Sequence, residues 1–88
     1  MTVNVEIYSS QFCGYCHRAK MLLDNKRVTY NEILVDSQPD KRAEMIKRST
    51  GVTSVPQIFI NNEHIGGCDD IYALESQGML DEKLGLVT

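Results

Sequence analysis

Between Val3 and Val35 the hydrophobic period changes twice, and this narrows the available folds more than any other property of the chain. Val3, Val5 and Ile7 alternate with Asn4 and Glu6, a period of two that predicts a strand running through Tyr8. Ser9-Ser10-Gln11 breaks it. From about Cys13 onward, Cys16, Ala19, Leu22 and Leu23 share one helical face, with Arg18, Lys20 and Asp24 as its polar counterpart. Asn25-Lys26-Arg27 ends that helix, and Val28 to Val35, rich in β-formers, predicts a second strand. Strand, helix and strand in so short a span make a βαβ unit, which implies a parallel pair with a right-handed crossover.

Asp36-Ser37-Gln38-Pro39 predicts a turn into a helix, with Asp36 or Ser37 as cap and Pro39 in the first turn. Ala43, Met45 and Ile46 then lie among Lys41, Arg42, Glu44, Lys47 and Arg48, an amphipathic helix that reaches Ser49 and stops at Gly51. After Ser54-Val55-Pro56 comes the apolar strand Gln57-Ile58-Phe59-Ile60, then turn material in Asn61-Asn62-Glu63, then His64-Ile65 and Gly66-Gly67; this segment predicts a β-hairpin. Asp69 and Asp70 stand where a further helix should begin, suited to its N-terminal dipole, and Gly78 should end it. Leu80, Leu84 and Leu86 suggest a last short helix packing back. The order β-α-β-α-β-β-α, with that last helix appended, predicts an α/β fold of one four-stranded mixed sheet flanked by helices.

At 88 residues this is one domain, residues 1–88, with no linker, repeat or low-complexity stretch. With 42% hydrophobic residues, 24% charged and a net charge of −3, the chain can build a core and is not disordered. Nine Lys and Arg against 12 Asp and Glu argue against nucleic acid or an anionic membrane surface as a partner held by charge. No apolar run approaches the roughly 18 residues of a membrane span. The start lacks the basic and apolar regions of a signal peptide, so a cytoplasmic location is expected.

The cysteine count is three, odd where a secreted scaffold would carry an even set, and two of them form Cys13-Gly14-Tyr15-Cys16. In a reducing compartment a C-x-x-C beside a βαβ pattern is a thioredoxin-like redox signature. The chemistry follows from position. A helix N-terminus presents unpaired N–H groups and a partial positive charge, which favour a thiolate on Cys13. Cys16, one turn further in, is placed to attack a mixed disulfide formed by Cys13. Cys13 is then the nucleophile and Cys16 the resolving thiol.

Three other readings compete. Cys13-Gly14-Tyr15-Cys16-His17 matches the haem-attachment string C-x-x-C-H, but that chemistry belongs to exported proteins. Cys13, Cys16, His64 and Cys68 make a four-ligand zinc set on paper, though the last two are separated by flexible glycines. Cys16 alone can be a small buried hydrophobe. Cys68 reads as a semi-buried thiol beside a glycine turn, and His17 as an exposed side chain with no general-base role.

Cys13-Gly14-Tyr15-Cys16-His17-Arg18-Ala19-Lys20, Ser54-Val55-Pro56-Gln57-Ile58-Phe59 and Gly66-Gly67-Cys68-Asp69-Asp70, in that order, resemble the glutaredoxins over nearly the whole length, and most of all the short bacterial dithiol type, the glutaredoxin 3 kind. The resemblance implies a thioredoxin-like fold and a glutathione-dependent oxidoreductase that reduces protein–glutathione mixed disulfides and protein disulfides. It implies a cis Val55–Pro56 bond, which the X-Pro step alone would predict at only about 5–6%. It also implies glutathione held by Tyr15, Ser54, Val55, Pro56, Gly67, Cys68, Asp69 and Asp70. The Val55 backbone would pair with glutathione in β fashion. Gly66-Gly67 would let the backbone come close, and the helix start at Cys68 would take the glutamyl carboxylate. Asp69 and Asp70 would cap that helix and accept from the glutamyl ammonium.

Two departures from the family pattern stand out. Gly14 replaces a common proline, a loss that in the family accompanies [2Fe–2S] binding in a dimer, where Cys13 of each chain and two glutathiones supply four thiolates. Ser9, Ser10 and Gln11 stand where a lysine often precedes the motif, which should weaken the grip on a glutathione carboxylate. The alternative to the enzyme is therefore an iron–sulfur carrier or sensor. The enzyme would be a monomer, and a dimer only with a cluster bound.

Overall fold

The computed structural model describes residues 3–86. Its strands are β1 (Val5–Ser9), β2 (Asn31–Leu34), β3 (Gln57–Ile60) and β4 (Glu63–Gly66); its helices are α1 (Gly14–Asn25), α2 (Pro39–Arg48), α3 (Cys68–Ser76) and α4 (Leu80–Lys83). The sheet order is β2-β1-β3-β4. β1 and β2 are parallel, with Glu6 opposite Asn31 and Tyr8 opposite Ile33, as the βαβ reading requires. β1 and β3 run antiparallel with Ile7 opposite Ile58, and β3 and β4 do so with Phe59 opposite His64.

The alternation along β1 divides the core in two. Val5 and Ile7 turn to one face, where Ala19, Leu22 and Leu23 of α1 meet Ile71 of α3, Leu80 and Leu84. Tyr8 turns to the other, with Val35, Met45 and Phe59. Every residue of β3 is buried, which explains its nearly unbroken apolar sequence: a central strand covered on both faces has no solvent side for polar residues. Asn61 and Asn62 make the two-residue hairpin turn at φ 50° and 67°, the left-handed region that asparagine tolerates best after glycine.

α2 buries only Met45, so apolar contact alone is a thin attachment. A polar clasp adds to it. The Arg48 guanidinium donates to both carboxylate oxygens of Glu6 (3.0 and 3.1 Å) and to the Tyr8 hydroxyl (2.8 Å), and lies 4.1 Å above the Phe59 ring. The Tyr8 hydroxyl in turn donates to Glu44. Helix and sheet are thus joined by a fork that satisfies a buried hydroxyl.

Three expectations change. The second strand is shorter than Val28–Val35: β2 covers Asn31–Leu34, and Val35 opens a 3-10 turn that puts its side chain under α2. Neither Asp36 nor Ser37 caps α2; its N-cap is Gln38, without a side-chain bond, although Pro39 does occupy the first turn. Asp36 is engaged elsewhere, as shown below. Leu86 lies past α4 and is exposed, while Leu80 and Leu84 pack into the core.

Candidate active site

Cys13 is the N-cap of α1, in an extended conformation, and its Sγ accepts from the Cys16 N–H at 3.2 Å. A helix whose first residue is glycine, after a strand that ends at Ser9, places that sulfur at the lip of the sheet. The preceding loop is fastened by Asp36, whose carboxylate accepts from the Ser10 hydroxyl (2.8 Å) and from the Gln11 N–H (2.9 Å). Those bonds hold the Asp36 carboxyl below its ordinary range. They also explain why Asp36 is not available to cap α2.

The two thiols of the pair differ in environment. Cys13 is half-buried and Cys16 fully buried. Burial, and then the bond to Cys13, push the Cys16 thiol up to about 12, so it is held neutral near pH 7. Cys68, at the first position of α3, is also buried, and burial raises its thiol. At neutral pH, iodoacetamide should therefore label Cys13 in the folded protein, with Cys16 and Cys68 reacting only after denaturation; peptide mass spectrometry reads the difference. A pH dependence follows with a definite sign. The fold favours the neutral Cys16 thiol, so that contribution to stability is complete below the ordinary value of 9.0 and fades as pH rises towards about 12. Tyr30, pushed up to about 12 by burial, fades in the same alkaline window.

Opposite Cys13 lies the loop that enters β3. Its Val55–Pro56 peptide bond is cis, and the Val55 carbonyl stands 3.9 Å from Cys13 Sγ. Beside this contact opens a groove of about 310 Å³. Tyr15, Ser54, Val55, Pro56, Gly67, Cys68, Asp69 and Asp70 all line it, so the fold brings together the eight residues expected around glutathione. Tyr15 is 60% exposed and forms one rim. At the far end α3 begins. Asp70 accepts from the Gly67 N–H at 2.9 Å, so the capping reading holds for Asp70; Asp69 lies in the first turn of α3 and makes no capping bond among the described residues.

Gly66 lines the groove beside Gly67 as expected, and Val52, Gln57 and His64 line it although the sequence does not mark them as groove residues. Gln57 carried the one available signal: a polar residue opening a strand otherwise made of Ile58, Phe59 and Ile60. His64 is one of the four residues of the zinc reading. No three His, Cys, Asp or Glu side chains converge as a metal site among the described residues, so Cys13, Cys16, His64 and Cys68 do not assemble one. One chain does not fit an iron–sulfur cluster either. Its open thiol is Cys13, and a cluster taking four thiolates would need three from outside. The burial of Cys16 likewise opposes thioether attachment of haem. His17 is exposed, and its backbone N–H bonds the Cys13 carbonyl at 3.1 Å.

Comparison with known proteins agrees with this geometry. A family model described as Glutaredoxin matches residues 5–65. Glutaredoxin 3 of Escherichia coli K12 is 59% identical over 81 residues, covering 92% of this chain and 96% of its own. A glutaredoxin of Pseudomonas aeruginosa is 50% identical over 80 residues, covering 91% of this chain and 94% of its own. The solution structure of a glutaredoxin from Brucella melitensis superposes with a TM-score of 0.84 at 49% identity, over 97% of this chain and 91% of that one. A crystal structure of a buckwheat glutaredoxin–glutathione complex gives 0.84 at 33% identity, over 96% and 81%.

Proposed function

The chain belongs to the glutaredoxin family, whose members are thiol–disulfide oxidoreductases, and from that premise we propose that it reduces protein–glutathione mixed disulfides and protein disulfides with glutathione as reductant. The observation that carries the reading is the meeting of Cys13 Sγ and the Val55 carbonyl, 3.9 Å apart, at the mouth of the groove. The Val55 N–H makes no hydrogen bond among the described residues, so an extended peptide can pair there with its sulfur beside Cys13. Glutathione is such a peptide, and the buckwheat relative is a glutathione complex.

In deglutathionylation the Cys13 thiolate attacks the glutathione sulfur of a protein–S–S–glutathione bond. The protein leaves as a thiolate and takes up a proton. A second glutathione, as thiolate, attacks the glutathionyl sulfur on Cys13, giving glutathione disulfide and restoring Cys13. With a protein disulfide, Cys13 attacks one sulfur and releases the other as a thiolate. Cys16 loses its proton and attacks the Cys13 sulfur, freeing the dithiol protein and leaving a Cys13–Cys16 disulfide. Two glutathiones then reduce that bond. During binding, Ser54, Val55 and Pro56 would hold the peptide backbone, Tyr15 would flank the sulfur, and Gly67, Cys68, Asp69 and Asp70 would receive the glutamyl end. We place the enzyme in the cytoplasm as a monomer; no helix among the described residues is long and apolar enough to cross a membrane. The carrier alternative rests on Gly14 in place of the common proline, and it needs a second chain and two glutathiones to complete its thiolates.

The test is a paired assay, on a glutathionylated peptide and on a protein disulfide, with wild type and Cys16→Ser. Wild type should reduce both. Cys16→Ser should keep deglutathionylation within about threefold and lose protein-disulfide reduction by at least about a hundredfold, since only the second route needs a resolving thiol. Equal loss on both substrates would refute the division of labour, and an inactive wild type would refute the function.

A further inference from the structure

Between α2 and β3, residues 49–56 form neither strand nor helix, yet four consecutive carbonyls there are each met by a side chain. Ser49 Oγ donates to Val52 (3.1 Å), an Arg42 guanidinium nitrogen to Thr53 (3.3 Å) and Gln57 Nε2 to Ser54 (3.0 Å); Cys13 Sγ faces Val55. The loop's acceptors are satisfied by side chains, and the Val55 N–H is left free of protein partners among the described residues. Gln57 differs from Arg42 in being 3% exposed, and its amide is engaged at both ends: Oε1 lies 2.6 Å from His64 Nε2.

That second contact fixes the first. With Nε2 of Gln57 donating to Ser54, its Oε1 must accept, so the assignment consistent with both bonds puts a hydrogen on His64 Nε2. Rotating the amide by half a turn would set its oxygen against the Ser54 carbonyl. His64 is itself held in place, its ring 5.0 Å from the Phe59 ring and tilted by 32°, with Arg48 also packed on Phe59. A continuous packed line thus runs from the α2 clasp to the groove loop.

We propose that Gln57, oriented by His64, is a positioning residue for the exchange reaction: it fixes the Ser54 carbonyl and thereby holds Val55 in register with the bound thiol peptide. This rests on the glutathione reading above. Gln57→Leu keeps much of the side-chain volume and loses both bonds; His64→Phe keeps a ring on Phe59 and loses the Nε2 hydrogen. Each should raise KM for a glutathionylated peptide by about three- to tenfold, with kcat changed by less than about twofold. The double variant should be no worse than Gln57→Leu alone, because His64 acts through Gln57. The 15N order parameter at the Val55 amide, read by NMR relaxation without any ligand, should fall in both variants.

Unchanged KM and an unchanged Val55 order parameter would overturn the proposal. So would a His64→Phe effect that persists in full in the Gln57→Leu background, which would mean that His64 touches the substrate directly. A general structural role would lower Tm and kcat together and leave the Val55 amide no more affected than its neighbours; that pattern also overturns it. If wild type fails to turn over the peptide, the functional reading falls, while the Val55 order parameter still tests the Gln57–His64 lock on its own.

Discussion

Cys13→Ser should abolish both reductase activities, by at least about a thousandfold, in a protein that is no less stable than wild type. The two halves of this result have separate causes. A serine hydroxyl is not ionised at neutral pH and forms no S–S bond, so neither the mixed disulfide with glutathione nor the one with a protein can exist. As a helix cap, however, serine is better than cysteine. The Cys13 sulfur accepts from the Cys16 N–H at 3.2 Å, and a hydroxyl oxygen accepts the same bond more strongly. Tm should hold or rise by a few degrees. Cys13→Ala removes the acceptor along with the chemistry, so it should lose activity equally and fall below the serine variant in Tm. The comparison separates nucleophile from cap in one pair of proteins. Retention of even a tenth of wild-type deglutathionylation by Cys13→Ser would move the nucleophile elsewhere.

What could be read from the residues depended on how local the determining force was. The βαβ start was legible because strand and helix periods differ and the change at Ser9–Cys13 is sharp. β3 was legible because burial on both faces leaves a continuous apolar run, and the Asn61-Asn62 turn because two left-handed residues need that chemistry. The end of β2 was not: Val35 is a strand former by composition, but burying it beneath Met45 and Tyr8 required the chain to turn, and that demand comes from α2. Asp36 illustrates the same limit. Its position suited a cap, and a competitor 25 residues earlier, the Gln11 N–H, took the carboxylate. Arg48 was one of several cations on a polar face, and only the folded sheet selects it to grip Glu6 and Tyr8. Within the groove, the residues that motifs bring together were found by resemblance. Gln57 and His64, paired across a hairpin, carry a role that appears only when their 2.6 Å contact is known.

Gly66 is the position where a single methyl group should do most damage to fold and groove together. It ends β4 at φ 120°, where any L-residue is strained, and a Cβ there would lie 2.7 Å from Asp70 Cγ and 2.9 Å from Asp70 Cβ, nearer still to Oδ2. Asp70 cannot simply swing away without loss, since its carboxylate holds the Gly67 N–H at the start of α3. Gly66→Ala should therefore combine backbone strain of about 1–3 kcal/mol with a lost cap of about 1 kcal/mol. For a domain of this size, that corresponds to a fall in Tm on the order of 10–20 °C. Asp70→Ala alone should cost only the cap. In the pair Gly66→Ala with Asp70→Ala the clash with the carboxylate disappears, while the 2.9 Å approach to the Cβ of residue 70 and the φ strain stay, so the double variant should be less destabilised than the sum of the singles. Gly14→Ala is the contrasting case: nothing lies within 4 Å of its added Cβ, and at the first turn of α1 the change should leave Tm level or slightly raised. A Gly66→Ala protein melting within about 2 °C of wild type would show that the groove backbone at this point does not need glycine. A large fall in Tm, strictly additive with that of Asp70→Ala, would place the cost in φ and the approach to the Cβ of residue 70, and none in the Asp70 carboxylate.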